Sequence, residues 1–335
     1  MTAQKILDVI CVGDSTVDTF IRIHDAAIEC DINQKDCRIC IDYGEKIPVD
    51  SIAHGVAGNA ANVVVGCAKI GLKTAIYTHV GLDWQGDMIV KNFRTEGVSE
   101  DYVVAEREKS SNLSVVLSFK GERTIFVYHQ QWRYKLPKLP VCKWLYFTSV
   151  SASFTNSGLV EEVCHYIDQT RTKLAFSPGT YQLKVGIKKY PKLLEKCDLI
   201  FVNADEAKEI LGIDRSEKSD VGDLLSKMLL LGPKIVVITD GDQGSYAADG
   251  KNYFKVGVYP ARLIEKTGAG DAYASGFISA LILKRSLEEA MVWGAINAAH
   301  VVGYVGAQRG LLTQNELERH RKVVRELEAK NFQHA

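Results

Sequence analysis

Short apolar runs alternate with helix-period segments almost from end to end of this chain, and that alternation restricts the fold to a narrow class. Residues 6–12 are apolar at odd and even positions alike, the pattern of a strand covered on both faces of a sheet. Residues 59–70 come next with helical period and end at Gly71, where a glycine suits a helix terminus. Residues 74–80 read as the next strand and 87–96 as a helix closed by Gly97. Further short strands are predicted at 143–148, 173–176, 198–202 and 234–239, separated mostly by helical patterns. A strand-then-helix repeat of this kind predicts an α/β fold, a parallel sheet with helices on both faces. No internal repeat, low-complexity tract or linker interrupts it. One domain over residues 1–335 is expected, and 46% hydrophobic residues give it ample core.

Two stretches break the rhythm. Residues 20–48 alternate apolar and polar side chains through Ile39, Ile41 and Ile47, without helical period. Residues 114–129 read as a hairpin, with Lys120-Gly121-Glu122-Arg123 as its turn. Together they predict a small antiparallel β lid formed by about 19–50 and 112–131. The last third is helical. Ser286 with Glu289, and Thr313 with Glu316, fit the capping box that satisfies free amides at a helix start, and 315–330 reads as a charged surface helix.

Lysine plus arginine and aspartate plus glutamate both total 41. A zero net charge gives no general attraction to a nucleic acid or an anionic membrane, so neither is expected as a partner. No apolar stretch is long enough to span a bilayer, and the amino terminus carries no signal-peptide pattern. A cytoplasmic chain with reduced cysteines is the expectation. Cys30, Cys37 and Cys40 fall short of the paired ligands of a zinc site, and packing is the role expected of them.

The segment richest in chemistry is Glu265-Lys266-Thr267-Gly268-Ala269-Gly270-Asp271, which runs into a helical pattern. Small residues at a helix start let successive backbone N–H groups converge on an anion, and the helix dipole adds positive potential. A carboxylate in the first turn then stands beside any phosphate held there. That pairing suits phosphoryl transfer, with amides stabilising the moving group and the aspartate taking the proton of an attacking hydroxyl. Ordinary capping is the better account of a lone Gly-x-Gly-Asp, so the decision rests on motifs upstream. A P-loop is absent, since no Gly-x-x-x-x-Gly-Lys-Ser/Thr occurs. A dinucleotide fingerprint is absent too, and Tyr273 stands where its third glycine would fall.

With those upstream motifs the chain resembles the ribokinase-like, or PfkB, family of carbohydrate and nucleoside kinases, from Gly13 to about Gly306. Residues 265–271 look like the family's Asp-Thr-x-Gly-Ala-Gly-Asp signature. The resemblance implies Asp271 as catalytic base and Gly268, Ala269 and Gly270 as the anion hole. Glu265 stands where the family usually has aspartate, beside the place of a monovalent cation such as K+. Ala57-Gly58-Asn59-Ala60-Ala61-Asn62 is similar to the Gly-Gly-x-x-x-Asn signature, which implies Gly58, Asn59 and Asn62 in the substrate pocket. Residues 13–18 resemble the family's first-strand turn, and on spacing Asp18, rather than Asp14, takes its substrate-binding role. Asn203-Ala204-Asp205-Glu206 matches Asn-x-x-Glu, implying Asn203 at the nucleotide phosphates and Glu206 near Mg2+. Residues 239–244 resemble the loop Thr-x-Gly-x-x-Gly, implying Thr239, Gly241 and Gly244 against ATP, with Asn297 at the adenine wall.

Taken together, the motifs imply an ATP- and Mg2+-dependent kinase acting on a hydroxyl of a sugar. A nucleoside acceptor stays open, with Tyr128, Trp132 and Tyr134 as candidates to hold its base. A sugar phosphate would need a basic cluster, to which Arg123 and Arg133 could contribute. A catalytically silent binding protein on the same fold is the remaining alternative. A homodimer through the exposed lid edge is a further implication of the resemblance.

Overall fold

The buried runs of the sequence become the strands of one large sheet in the computed structural model, which describes residues 6–31, 37–120, 122–324 and 326–332. The first half of the chain contributes β1 (Leu7–Val12), β2 (Thr16–Arg22), β3 (Ala27–Cys30), β4 (Cys37–Cys40), β5 (Ser51–Ala57), α1 (Asn59–Lys69), β6 (Thr74–Gly81), α2 (Trp84–Thr95), β7 (Ser99–Glu106), β8 (Leu113–Phe119), β9 (Glu122–Tyr128) and β10 (Cys142–Phe147). The second half contributes α3 (Leu159–Thr170), β11 (Lys173–Phe176), α4 (Thr180–Val185), α5 (Pro191–Glu195), β12 (Cys197–Asn203), α6 (Ala204–Leu211), α7 (Val221–Leu229), β13 (Val236–Thr239), β14 (Ser245–Ala248), β15 (Tyr253–Val256), α8 (Ala269–Ile282), α9 (Leu287–Val301), α10 (Gln314–Val323) and β16 (Lys330–Asn331).

The main sheet has 10 strands in the order β16-β15-β14-β13-β12-β11-β10-β1-β6-β7. From β13 to β7 every neighbouring pair is parallel, while β14, β15 and β16 close the other edge antiparallel. Strand β1 shows why its sequence is apolar at odd and even positions alike from Val9 to Val12. Val9 and Cys11 point into the core shared with α1, α8 and α9, and Ile10 and Val12 into the core shared with α3 and α7. The three-layer α/β architecture is as expected. The chain leaves β1 toward β6 on one side and later returns to β10 on the other, so β1 sits at a topological switch point. Ligand crevices in open α/β sheets lie beyond the carboxyl ends of strands at such points.

A second sheet, in the order β5-β2-β8-β9, forms the lid. Its outer pairs are antiparallel and its central pair, β2 with β8, is parallel. The lid takes in β5, so it extends past the 19–50 range expected, because Ser51–Ala57 pairs residue for residue with Thr16–Arg22. Strands β3 and β4 make a separate ribbon. There Cys30 and Cys37 face each other with Cα atoms 4.0 Å apart and form a disulfide, which corrects the expectation of a fully reduced chain. Residues 32–36, and Gly121 in the hairpin turn, lie outside the described residues.

The charged helix expected at 315–330 is shorter. It ends at Val323, and Lys330–Asn331 pairs with β15 at the sheet edge. Among the described residues no helix is long and apolar enough to cross a membrane.

Candidate active site

Helix α8 is buried almost all round and packs closely on α1. A Cβ on Gly66 would fall 2.3 Å from Ser275 Oγ, so only glycine allows this approach. One turn toward the amino end of each helix, at the i−4 positions, stand Asn62 and Asp271. The packing that joins Gly66 to Ser275 therefore brings these two side chains together. Asn62 Nδ2 donates to Asp271 Oδ2 at 2.8 Å, and Asn59 Nδ2 to Oδ1 at 3.0 Å. Gln308 Nε2 in turn donates to Asn62 Oδ1 at 3.2 Å, fixing which face of the amide meets the aspartate.

Asp271 is buried, and burial pushes its carboxyl up to about 7. The two asparagine amides work against that rise, and Glu206 adds to it. The loop before α8 has Gly268 at φ 80° as the helix N-cap. A Cβ there would meet Ala307 Cβ at 2.4 Å. A Cβ on Gly270 would meet nothing within 4 Å, so the helix start faces open space.

That space is a cavity of about 370 Å³ beyond the carboxyl end of β1. Asp14, Asp18, Asn59, Asn62, Asn112 and Ser114 supply its polar wall, and Gly268, Ala269, Gly270 and Asp271 its floor. The lid contributes Ile125, Val127 and His129 to its open side. Asp18 and Ser114 are register partners in the lid sheet, and the Ser114 hydroxyl beside the carboxylate favours its charged form. Burial, helped by Glu265, lifts Asp18 to about 6, against the Ser114 hydroxyl and the Arg123 charge. Spacing favours Asp18 over Asp14 as the ligand, yet Asp14 lines the cavity as well. It is buried, raised by burial to about 7, and held through both oxygens by Tyr134 Oη at 2.8 and 2.9 Å. Beyond Arg123 and Lys266 the underside of the lid opens into a wider groove of about 1040 Å³.

The nucleotide-side residues fall differently. Asn203 and Glu206 form a reciprocal cap on α6: Glu206 N–H donates to Asn203 Oδ1 at 2.8 Å and Asn203 N–H to Glu206 Oε2 at 2.9 Å. Glu206 Oε1 is not part of that cap, and burial raises this carboxyl. Thr239 ends β13 and leads into a tight turn, Gly241 facing open space at φ 52°. Gly244, at φ 93°, lies so close to Val256 that a Cβ would stand 2.1 Å from its carbonyl oxygen.

Asn297 corrects its assignment. It is fully buried, donating to Ala272 O at 2.9 Å and Ser275 Oγ at 3.1 Å and accepting from Leu312 N–H at 3.0 Å. It ties α9 to α8 and offers nothing to an adenine. The base-holding aromatics are also displaced. Trp132 and Tyr134 are buried in the core behind the cavity, and Tyr128 is exposed and does not line it. Arg133 lines neither space, and Arg123 lines both.

A parallel α/β sheet with a β lid, and a buried carboxylate beside an open helix start, defines a small-molecule phosphotransferase fold. The model of the pfkB family of carbohydrate kinases matches residues 19–314, and the chain belongs to that family. It is a kinase. Among its relatives is an ATP-dependent 6-phosphofructokinase of Thermoanaerobacterium thermosaccharolyticum, 27% identical over 80% of this chain and 85% of the relative. The ribokinase of Arabidopsis thaliana, solved with ribose and ATP, superposes with a TM-score of 0.77 at 20% identity over 95% of this chain and 99% of its own. A nucleoside kinase of Methanocaldococcus jannaschii superposes with a TM-score of 0.75 at 18% identity over 96% of this chain and 100% of its own.

Proposed function

We propose that this kinase phosphorylates a hydroxyl of a sugar, with ATP as donor and Asp271 as general base. The observation that carries this reading is Asp271 itself, clamped by Asn59 and Asn62 at the floor of the cavity beneath the lid and raised to about 7. A base is most effective when its pKa lies near the working pH. Asp18, with Asn112 and Ser114 beside it, offers acceptors and donors for adjacent hydroxyls, the groups a polyol presents. The hydroxyl bound over Asp271 gives up its proton to the carboxylate as its oxygen bonds to the γ-phosphorus and the bond from that phosphorus to the ADP oxygen breaks, with ADP leaving. The amides at Gly268, Ala269 and Gly270 stabilise charge on the transferred group.

The donor side is supported by the Thr239–Gly244 loop, where Gly241 leaves room and Gly244 holds the turn. Among the described residues no cluster of three or more acidic, histidine or cysteine ligands could grip a metal. That suits Mg2+, which binds through phosphates and water with few protein carboxylates, and Glu206 would hold it. When bound, the metal neutralises phosphate charge.

A sugar is favoured over a nucleoside because the cavity beneath the lid is lined by Asp14, Asp18, Asn59 and Asn62, acceptors and donors for hydroxyls, while its aromatic ring among the described residues is His129 alone. The exposed edge strand β9, with Ile125, Phe126, Val127 and Tyr128 each more than 40% accessible, supports the lid as the dimer surface. The test is ADP release from ATP and Mg2+ with a panel of sugars, sugar phosphates, sugar acids and nucleosides. Turnover with a neutral sugar is expected; turnover with nucleosides alone would replace this reading by the nucleoside one.

A further inference from the structure

Both oxygens of Glu265 are occupied by donors from the protein. Oε1 accepts from Thr267 Oγ1 at 2.5 Å and from Arg123 Nη1 at 3.3 Å, and Oε2 from the Gly306 backbone N–H at 3.3 Å. Arg123 Nη1 also donates to Thr267 Oγ1. Arg123 belongs to β9, so one side chain of the lid grips two residues of the loop that leads into α8. Glu265 is 13% accessible and Arg123 33%, so the pair is only partly screened by water.

The family resemblance implies a monovalent cation beside this loop. Such an ion needs oxygen lone pairs free to face it. Here the carboxylate faces a guanidinium, and a second positive charge beside it would be repelled. The Glu265 carboxylate, engaged through both oxygens, does not fit the ion.

We propose that Arg123 stands in for the monovalent cation: closure of the lid, not uptake of K+, fixes Thr267 and Glu265 and with them the amides of the following loop. Arg123 is thus a positioning residue, and the enzyme is indifferent to K+. The inference rests on the loop before α8 acting as the anion hole.

The experiment compares the full chain with Arg123→Ala and Arg123→Lys in potassium chloride and in tetramethylammonium chloride at equal ionic strength. Melting temperature is read without substrates, and turnover with ATP and the accepted sugar. Wild type is expected to melt and turn over alike in both salts. Arg123→Ala is expected to lose about 10-fold or more in kcat, as for loss of one preorganised electrostatic contact. Potassium or millimolar guanidinium should restore part of that loss, and potassium should raise the variant's melting temperature. Arg123→Lys should keep more activity than Arg123→Ala and ignore potassium. Wild type that is activated or stabilised by potassium overturns the inference, as does Arg123→Ala with unchanged kcat. Should Arg123→Ala fail to fold, Arg123→Met and the wild-type salt comparison carry the same decision. The melting arm needs no acceptor, so it separates failure of this inference from failure of the kinase reading.

Discussion

Asn62 and Asp271 are 209 positions apart in sequence and 2.8 Å apart in space, joined by an amide donating to a carboxylate. The bond ties the helix just after the lid strand β5 to the helix that starts beside the open loop. Substrate recognition and proton transfer therefore share one rigid contact, set by the glycine–serine packing one turn below it.

The raised Asp271 carboxyl fixes the pH dependence. A base works only when deprotonated, so kcat/KM should be lost as pH falls through about 7, the value burial imposes, and be flat above it. A steady-state pH profile in a wide-range buffer checks this. An acid limb near the ordinary carboxylate range would mean another group titrates, or that the site is wetter than described.

Asn62→Ala removes a hydrogen bond that lowers that pKa, so the acid limb should move upward. At neutral pH kcat/KM should drop, and it should recover substantially in alkaline buffer. A loss of the same size at every pH would assign Asn62 to substrate contact alone.

Gly268→Ala forces a side chain into a left-handed position at φ 80° and against Ala307 at 2.4 Å. The strain and the clash together should cost about 1–4 kcal/mol of stability, visible in chemical denaturation. Activity should fall further than stability, because the amides just after it would be misdirected. A variant with wild-type stability and rate would refute this geometry.

Asp18→Asn keeps the shape of the lid strand and removes a charged acceptor from the cavity. The loss should appear chiefly as a higher KM for the acceptor, by about 10- to 100-fold, in line with a charged hydrogen bond. An effect confined to the KM for ATP would place the acceptor elsewhere.

The parallel sheet is legible in the sequence because strands buried on both faces carry apolar residues on both, as Val9–Val12 of β1 do, and helices keep their own period. The loop 265–271 is legible through the motifs that precede it, since glycines and an aspartate at a helix start also serve as ordinary caps. Contacts between distant elements are not. The clamp of Asn59 and Asn62 on Asp271 depends on how α1 meets α8, and its only trace is a pair of small residues, Gly66 and Ser275, four places downstream of Asn62 and Asp271. Asn297 misleads because a buried asparagine bridging two helices sits in the same alanine-rich setting as a ligand wall. The reach of Arg123 to Glu265 depends on the lid's curl over the loop, which no local pattern encodes. Cys30 and Cys37 pair because a hairpin puts them opposite each other, and their spacing alone leaves that open.

Asp271 carries the central claim. The most direct measurement sets ADP release by Asp271→Asn against that of wild type, with ATP affinity of both proteins read by calorimetry. The predicted result is a fall in kcat of about 10²- to 10⁴-fold, the usual contribution of a general base, with ATP affinity retained. Turnover within a few-fold of wild type would contradict it.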